Sequence, residues 1–194
     1  MVAIQADVSR SEDVNRMVEE GERILGKIDI LINNAGMIVR TPIVECKDSD
    51  IDRIIDTNLK APLYLCRVVG KGMIERRWGR VINIGSLHTL VSIEERSIYA
   101  ATKGGIHQVS KCLSLEWAKY GITVNTICPG VFRTEINEEW MKDKERAKKM
   151  LDKIPVGFFG EPHDLSGAVI YLCSDAARYV TGTAIVIDGG YTAQ

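Results

Sequence analysis

Short apolar runs alternate along the chain with longer stretches in which hydrophobic residues recur every three or four positions. Each run has the length and β-branched content of a strand, and most runs end in polar or small residues. The five runs are VAIQADV from residue 2, IDILINNAG from residue 28, RVINIGS from residue 80, ITVNTICPG from residue 122 and AIVIDGG from residue 184. The pattern predicts five strands, and it predicts that the strand at residue 28 is buried on both faces.

The stretches between the runs have the periodicity of helices that bury one face. Ser9 and Glu12 have the spacing of a capping box at the start of the first helix. The other predicted helices start at Asp48, continue after Pro62 to about Trp78, and run from Ile98 to Tyr120 and from Pro162 to Asp175, with a polar, partly helical segment at 131–160. Strands that alternate with helices predict βαβ units, and therefore an α/β fold with a parallel sheet and helices on both faces.

Composition points to one domain and a small ligand. The 194 residues, 45% of them hydrophobic, suffice for one core but are few for two ordinary domains, so we expect a single domain over residues 1–194. The balance of 25 Lys and Arg against 26 Asp and Glu, without a basic stripe, argues against nucleic acid or a membrane surface as partner. Scattered cysteines, and no secretory signal, predict reduced thiols and a cytoplasmic location. We expect no bound metal.

The stretch SIYAATKGG places Tyr99 one helical turn before Lys103, so the two side chains project from the same face. A phenol has a pKa of about 10 and is a poor base at neutral pH, but a nearby ammonium in a partly desolvated cleft lowers that pKa. Ser86, at the end of a predicted strand, is placed to hydrogen-bond a substrate oxygen while Tyr99 exchanges a proton. The three residues predict an acid/base site. The alternative is an ordinary tyrosine beside a solvated lysine.

Asn58 interrupts an apolar helical stripe that includes Ile51 and Ile54. A buried amide must be hydrogen-bonded, and Pro62, four residues on, has no N–H to donate to the Asn58 carbonyl. We therefore predict that this free carbonyl holds a water that links Lys103 to solvent as a proton relay. The alternative is a buried asparagine that only fixes a kink in the helix.

In this order, these residues resemble the motifs of the short-chain dehydrogenase/reductase family. The resemblance spans the whole chain and rests on NNAG at 33–36, Asn58, Ser86, YAATK at 99–103, CPG at 128–130 followed by Thr134, and IDGG at 187–190. It implies a Rossmann-type fold and an oxidoreductase that transfers hydride between NAD or NADP and a carbonyl or alcohol substrate. Tyr99 would be the general acid/base and Ser86 the residue that binds the substrate oxygen. Lys103 would tune Tyr99 and hold the nicotinamide ribose, with Asn58 as the relay.

The same resemblance assigns further residues to the cofactor. It places the adenine ring against Asp7 and Val8. The rest of the cofactor would contact Asn34, Ala35 and Gly36 in the cleft, Tyr99 and Lys103 on the helix, and Pro129, Gly130, Val131 and Thr134 around the nicotinamide carboxamide. Gly36 would allow the backbone to approach the ligand closely.

The chain departs from the family pattern at its start, where the strand, glycine-rich turn and helix of a dinucleotide-binding fold are absent. The doubly wound sheet is therefore expected to lack its first βαβ segment, and with it the residue that separates NAD from NADP. Three explanations stay open. The chain is a fragment or its start is mis-assigned, a partner chain covers the exposed sheet edge, or residues 2–6 pair directly with residues 29–33. The last one predicts a parallel ladder between these two segments.

Five residues and a lid are expected to contact the substrate, namely Ser86, Leu87, His88, Arg40, Arg96 and the segment 131–160. A lone loop histidine such as His88 is more often part of a pocket wall than a catalytic group. Arg40 and Arg96 have the charge to bind a carboxylate. The stretch NAGMIVRTP is similar to the corresponding stretch of gluconate 5-dehydrogenase and other sugar-acid dehydrogenases of the family, which implies a sugar acid such as gluconate or 5-ketogluconate as substrate.

Two other functions stay open at the level of sequence. One is the reduction of 3-oxoacyl groups on an acyl-carrier protein, which the same catalytic residues would serve. The other is a catalytically silent remnant that persists as an oligomer, with the apolar faces of helices 59–78 and 98–120 in a four-helix contact. Family members are usually tetramers, so we expect a dimer or tetramer.

Overall fold

A computed structural model describes residues 1–194 and contains one sheet of four parallel strands. The strands lie side by side in chain order as β1 (Ile30–Asn33), β2 (Gly79–Ile84), β3 (Ile122–Pro129) and β4 (Ala184–Ile187). Apolar residues are neighbours along the register, with Ile32 beside Ile82 and Ile127 beside Ile185. The two inner strands, β2 and β3, are almost entirely buried, as their continuous apolar runs predict.

Helices cover both faces of this sheet. They are α1 (Ser11–Leu25), α2 (Asp48–Ile55), α3 (Ala61–Arg76), α4 (Ser97–Trp117), α5 (Glu135–Met141), α6 (Lys144–Leu151) and α7 (Ser166–Cys173). One face packs against α1, α3 and α4 in a core that includes Val14, Met73 and Trp117. The other face packs against α7 through Leu172. The predicted α/β architecture is confirmed, and none of the helices combines the length and the apolar character that a membrane span requires.

The prediction that residues 2–6 form a strand beside residues 29–33 is wrong. These residues have no strand conformation and no ladder with β1. They are bound to α1 instead, because Arg16 donates to the Gln5 carbonyl at 2.7 Å. The predicted capping box is also wrong, since the Ser9 hydroxyl donates to Asp7 at 2.6 Å and accepts no bond from the helix.

As a result, β1 forms an edge of the sheet and pairs only with β2. Ile30 and Ile32 are 41% and 42% exposed, although the sequence predicted burial on both faces. The opposite face of the same strand packs normally, since Leu31 contacts the core beneath α1 and α3. An apolar surface of β1 is therefore open to solvent.

The predicted lid at 131–160 contains α5 and α6 and is closed at its base. Phe132 and Gly160 form a parallel bridge. The Arg133 amide donates to the Gly160 carbonyl at 2.8 Å, and the Gly160 amide donates to the Val131 carbonyl at 3.0 Å. These bonds join the two ends of the segment close to the carboxyl end of β3.

Candidate active site

A cavity of about 720 Å³ opens at the carboxyl ends of β1, β2 and β3, where open parallel sheets bind ligands. Its walls include most of the residues predicted for cofactor and substrate, namely Asn34, Ala35, Gly36, Arg40, Ser86, Leu87, His88, Arg96, Tyr99, Lys103, Pro129, Gly130, Val131 and Thr134. Three predicted residues lie elsewhere. Asn58 is buried behind the wall, while Asp7 and Val8 lie at the start of the chain, before α1.

Ser86 lies just beyond the end of β2 in an extended conformation, with φ −169° and ψ 168°. Its Oγ accepts the backbone N–H of His88 at 3.2 Å. Since this bond uses a lone pair of the oxygen, the hydroxyl hydrogen stays available for Tyr99 or for a ligand. Ser86 is therefore suited to donate a hydrogen bond to a substrate oxygen, as predicted.

Tyr99 and Lys103 lie on consecutive turns of α4 and line the same cavity. Lys103 Nζ is 5.6 Å from the centre of the Tyr99 ring, so the two side chains share one face of the helix. The ammonium donates to the Ile84 carbonyl at the end of β2, at 2.7 Å. Burial lowers the pKa of Lys103 to about 8, which leaves the side chain mostly charged at neutral pH.

The prediction that Lys103 lowers the pKa of Tyr99 is wrong in this structure. Burial raises the pKa of Tyr99, and the opposing effects of the Ser86 hydroxyl and the Arg40 charge are smaller. Lys103, whose ammonium donates to the Ile84 carbonyl, is not among the groups that lower this pKa. A phenol that stays protonated at neutral pH is suited to donate a proton, so the site as it stands favours reduction of a carbonyl.

Asn58 is buried, with 2% of its surface exposed, and its amide is fully engaged. Its Oδ1 accepts the Met37 amide and its Nδ2 donates to the Met37 carbonyl, both at 2.9 Å. A π-helical turn at Asp56–Lys60 surrounds it, as expected where Pro62 removes a helical N–H. The predicted hydrogen bonding of the amide is confirmed, and the amide fixes the loop after β1. The water relay through the Asn58 carbonyl stays a prediction.

His88 forms part of the cavity wall beside the tyrosine. Its ring packs edge-on against the Tyr99 ring, with centroids 5.6 Å apart. Burial, with the nearby charge of Arg96, lowers the pKa of His88 to about 4. The imidazole is therefore neutral at physiological pH, which fits a wall residue better than a charged catalytic group.

Two arginines bring positive charge to the cavity without an acidic partner. Arg40 donates to Asn137 Oδ1 at 2.7 Å, and Arg96 donates to the Glu94 carbonyl at 2.6 Å. Burial lowers the pKa of both groups, and the charge of Arg40 lowers the pKa of Arg96 further. Arg96 is buried and Arg40 is half-buried, and both find only neutral acceptors, so their charge is uncompensated and the region is suited to an anion.

Several lid residues that the sequence did not single out also line the cavity. Asn137 and Trp140 of α5 and Phe132 at the lid base belong to this set. Asn137 joins the lid to the loop after β1, because its Oδ1 accepts Arg40 and its Nδ2 donates to the Phe132 carbonyl at 3.0 Å. In the sequence, one feature indicates that α5 lines a pocket, which is the aromatic residue Trp140 within the charged stretch EINEEWM.

Comparison with known proteins places the chain among nicotinamide-dependent enzymes. A family model described as enoyl-(acyl carrier protein) reductase matches residues 1–192. A short-chain type dehydrogenase/reductase from Mycobacterium marinum has the same fold, with a TM-score of 0.93 and 31% identity over 100% of this chain and 76% of its own. The chain belongs to the short-chain dehydrogenase/reductase family. It is therefore an NAD(P)-dependent oxidoreductase.

Two sugar-acid dehydrogenases of the family are also similar. The 2-dehydro-3-deoxy-D-gluconate 5-dehydrogenase of Pseudoalteromonas atlantica is 40% identical over 96% of this chain and 74% of its own length. A gluconate 5-dehydrogenase from Burkholderia cenocepacia, crystallised with NADP and tartrate, is 34% identical over 97% of this chain and 74% of its own, with a TM-score of 0.94.

The cavity of this short-chain dehydrogenase/reductase fits the nicotinamide half of NAD or NADP. The Lys103 ammonium has three N–H donors and one acceptor within the protein, and it is only 5% exposed at the cavity wall. Its unused donors match the hydroxyls of a ribose. Gly36 and Gly130 follow β1 and β3, the strands on either side of β2, and line the same cavity. When bound, the nicotinamide supplies or accepts a hydride.

Asp7 and Val8, the residues predicted to contact the adenine ring, lie outside the cavity wall. Asp7 Oδ1 accepts the amide of Ser9 at 3.0 Å and its hydroxyl at 2.6 Å, and these bonds lower the pKa of the Asp7 carboxyl. The group is exposed and ionised at neutral pH. The roles of Asp7 and Val8 toward adenine stay predictions.

Proposed function

We propose that the protein interconverts a ketone and a secondary alcohol on a sugar acid, such as 5-ketogluconate and gluconate, with NAD or NADP as cofactor. The observation that carries this proposal is the pair Arg40 and Arg96 in the wall of the cavity that contains Tyr99. Neither guanidinium has a carboxylate partner, since nearby Glu95 pairs with Arg146 at 3.7 Å. A substrate carboxylate would compensate this charge.

In this reaction the chain's own residues hold the substrate and move the proton. The Ser86 hydroxyl donates to the carbonyl oxygen, and Arg40 with Arg96 binds the carboxylate at the other end. As the carbonyl carbon accepts a hydride, the Tyr99 hydroxyl transfers its proton to the carbonyl oxygen. The nearby charge of Arg40 favours the phenolate that forms. Oxidation of the alcohol follows the same steps in reverse.

The names of the two sugar-acid relatives support this substrate class, and tartrate in the Burkholderia cenocepacia structure is itself a hydroxylated carboxylate. The description of the matching family model favours a different substrate, an acyl group on a carrier protein. The two classes differ in charge. A sugar acid carries a carboxylate that would satisfy Arg40 and Arg96, whereas a 3-oxoacyl thioester has none on its acyl group.

A panel of substrates tests the proposal. The purified chain is mixed with NADH or NADPH and with 5-ketogluconate, 2-dehydro-3-deoxygluconate or acetoacetyl thioester, and loss of nicotinamide absorbance is followed. We expect turnover with a sugar acid. Turnover with the thioester alone would replace the proposal with 3-oxoacyl reduction. Absence of cofactor binding at millimolar concentration, measured by calorimetry, would favour the oligomeric remnant.

We also propose that the protein acts in the cytoplasm as a dimer or tetramer. Five free cysteines support a reducing compartment. Exposed apolar side chains on α3 and α4, such as Leu63 and Leu115, support a contact between these helices of two copies.

A further inference from the structure

We infer that Thr89 is a positioning residue that holds Ser86 in register with Tyr99 and Lys103. The inference rests on the proposed oxidoreductase function. Thr89 is half-buried in the short 3-10 turn that follows Ser86, and it is not part of the cavity wall. Any effect on the reaction must therefore pass through the residues that it contacts.

The Thr89 hydroxyl connects the loop that carries Ser86 to the helix that carries the acid/base pair. Its Oγ1 accepts the Ser86 backbone N–H at 3.2 Å and donates to the Lys103 carbonyl at 3.2 Å. One hydroxyl thus uses its single hydrogen toward α4 and a lone pair toward the loop. Both bonds end on the backbone of residues predicted to be catalytic.

Lys103 is bound to this region a second time through its side chain. Its Nζ donates to the Ile84 carbonyl at 2.7 Å, two residues before Ser86. The two bonds fix both the backbone and the side chain of Lys103 against the end of β2. Since Tyr99 lies one turn earlier on the same helix, its distance from Ser86 is set by the same pair of bonds.

The Thr89 hydroxyl lies close to the backbone of Gly85. A Cβ added at Gly85 would lie 2.8 Å from Thr89 Oγ1 and 3.0 Å from Cys128 Sγ. Cys128 directly precedes Pro129 and Gly130, which line the cavity at the end of β3. Thr89 therefore lies where the ends of β2 and β3 meet α4, and a glycine at position 85 is what allows this approach.

A capping role alone would explain the bond to the Ser86 amide, because Ser86 and Thr89 form a reciprocal capping box at the start of the 3-10 turn. The bond from Thr89 to the Lys103 carbonyl has no part in capping that turn. It joins the loop that carries Ser86 to α4, the helix that carries Tyr99 and Lys103. A positioning role predicts a loss of kcat, whereas a capping role predicts a loss of stability only.

The test compares Thr89→Val, which removes the hydroxyl at nearly constant shape, with Thr89→Ser, which keeps it. Thr123→Val is the matched control, because the Thr123 hydroxyl is buried without a hydrogen-bond partner. Three quantities are measured for each variant, namely hydrogen exchange of the Ser86 amide, kcat and KM with a sugar-acid substrate, and the melting temperature.

We expect Thr89→Val to speed exchange of the Ser86 amide and to lower kcat about tenfold, equivalent to ~1.4 kcal/mol of barrier, with KM nearly unchanged. Thr89→Ser should restore both, and Thr123→Val should match the parent. Unchanged exchange in Thr89→Val would overturn the inference, as would parental kcat despite faster exchange. If the parent turns over no substrate, the proposed function fails. The exchange data then still show whether Thr89 holds Ser86.

Discussion

The charged side chain of Lys103, buried at the cavity wall, lowers the stability of the fold. The pKa of Lys103 falls from 10.5 to about 8 because burial disfavours its charge. This shift corresponds to ~3 kcal/mol that the folded protein loses at neutral pH. Only one hydrogen bond, to the Ile84 carbonyl, offsets the cost within the protein.

We therefore predict that Lys103→Met raises stability while it abolishes turnover. The midpoint of urea unfolding at pH 7 should increase, by an amount equivalent to about 1–3 kcal/mol after loss of the hydrogen bond. Because the lysine of the folded state is neutral above pH about 8 while the unfolded lysine stays charged, the wild-type protein gains stability as pH rises from there toward the ordinary lysine pKa. The advantage of Lys103→Met should shrink over this range. An equal advantage at every pH would contradict the buried charge.

Arg40 is expected to act on substrate binding, since it lies on the cavity wall without an acidic partner. Arg40→Met should raise KM for a sugar acid by about 10- to 100-fold, the loss of one charge-assisted contact. A neutral ketone of similar size should be affected much less. Arg67→Met, at an exposed arginine that packs on Tyr64, is the control and should leave KM unchanged. An equal loss for charged and neutral substrates would refute carboxylate binding.

At the residue level, the sequence predicted which side chains share the site but not their protonation. Tyr99, Lys103 and Ser86 were placed correctly because helical spacing and strand ends fix direction. The sequence could not predict whether the pKa of Tyr99 is raised or lowered, since this shift depends on burial by residues distant in sequence. Asp7 and Val8 were assigned by resemblance alone, and the structure places them outside the cavity wall.

Among the elements, the inner strands and long helices follow their sequence patterns closely. β2, β3 and α4 lie where the apolar periodicity placed them, because their neighbours in the sheet are also present. Residues 2–6 have a strand pattern without a strand partner, and an apolar run without a ladder partner does not form a strand. The apolar pattern of a segment indicates that the segment tends to be buried. Whether it pairs as a strand depends on which other strands the sheet contains.

The lid is predicted to depend on the contact between Arg40 and Asn137, which joins α5 to the loop after β1. Asn137→Ala should free α5, so that limited proteolysis between residues 131 and 160 becomes faster and KM rises several-fold. Glu138→Ala changes an exposed neighbour on the same helix and serves as the control. Identical proteolysis of both variants would show that the contact does not hold the lid.

For the whole molecule, exposed apolar surface predicts association of copies. Leu115 on α4 is 82% exposed, and Leu115→Glu would place charges against each other in a four-helix contact. Gel filtration should show the parent as a dimer or tetramer and the variant shifted toward monomer. Val44→Glu, an equally exposed change outside α3 and α4, should leave the assembly intact. A monomeric parent would contradict the proposal.

In the proposed reaction, the Tyr99 hydroxyl donates the proton during carbonyl reduction. The most direct measurement is the rate of nicotinamide oxidation with 5-ketogluconate for the parent and for Tyr99→Phe, with cofactor affinity determined in parallel. We predict a loss of roughly 10²- to 10⁴-fold in kcat for Tyr99→Phe with little change in cofactor affinity. If Tyr99→Phe reduces the substrate as fast as the parent, Tyr99 is not the proton donor.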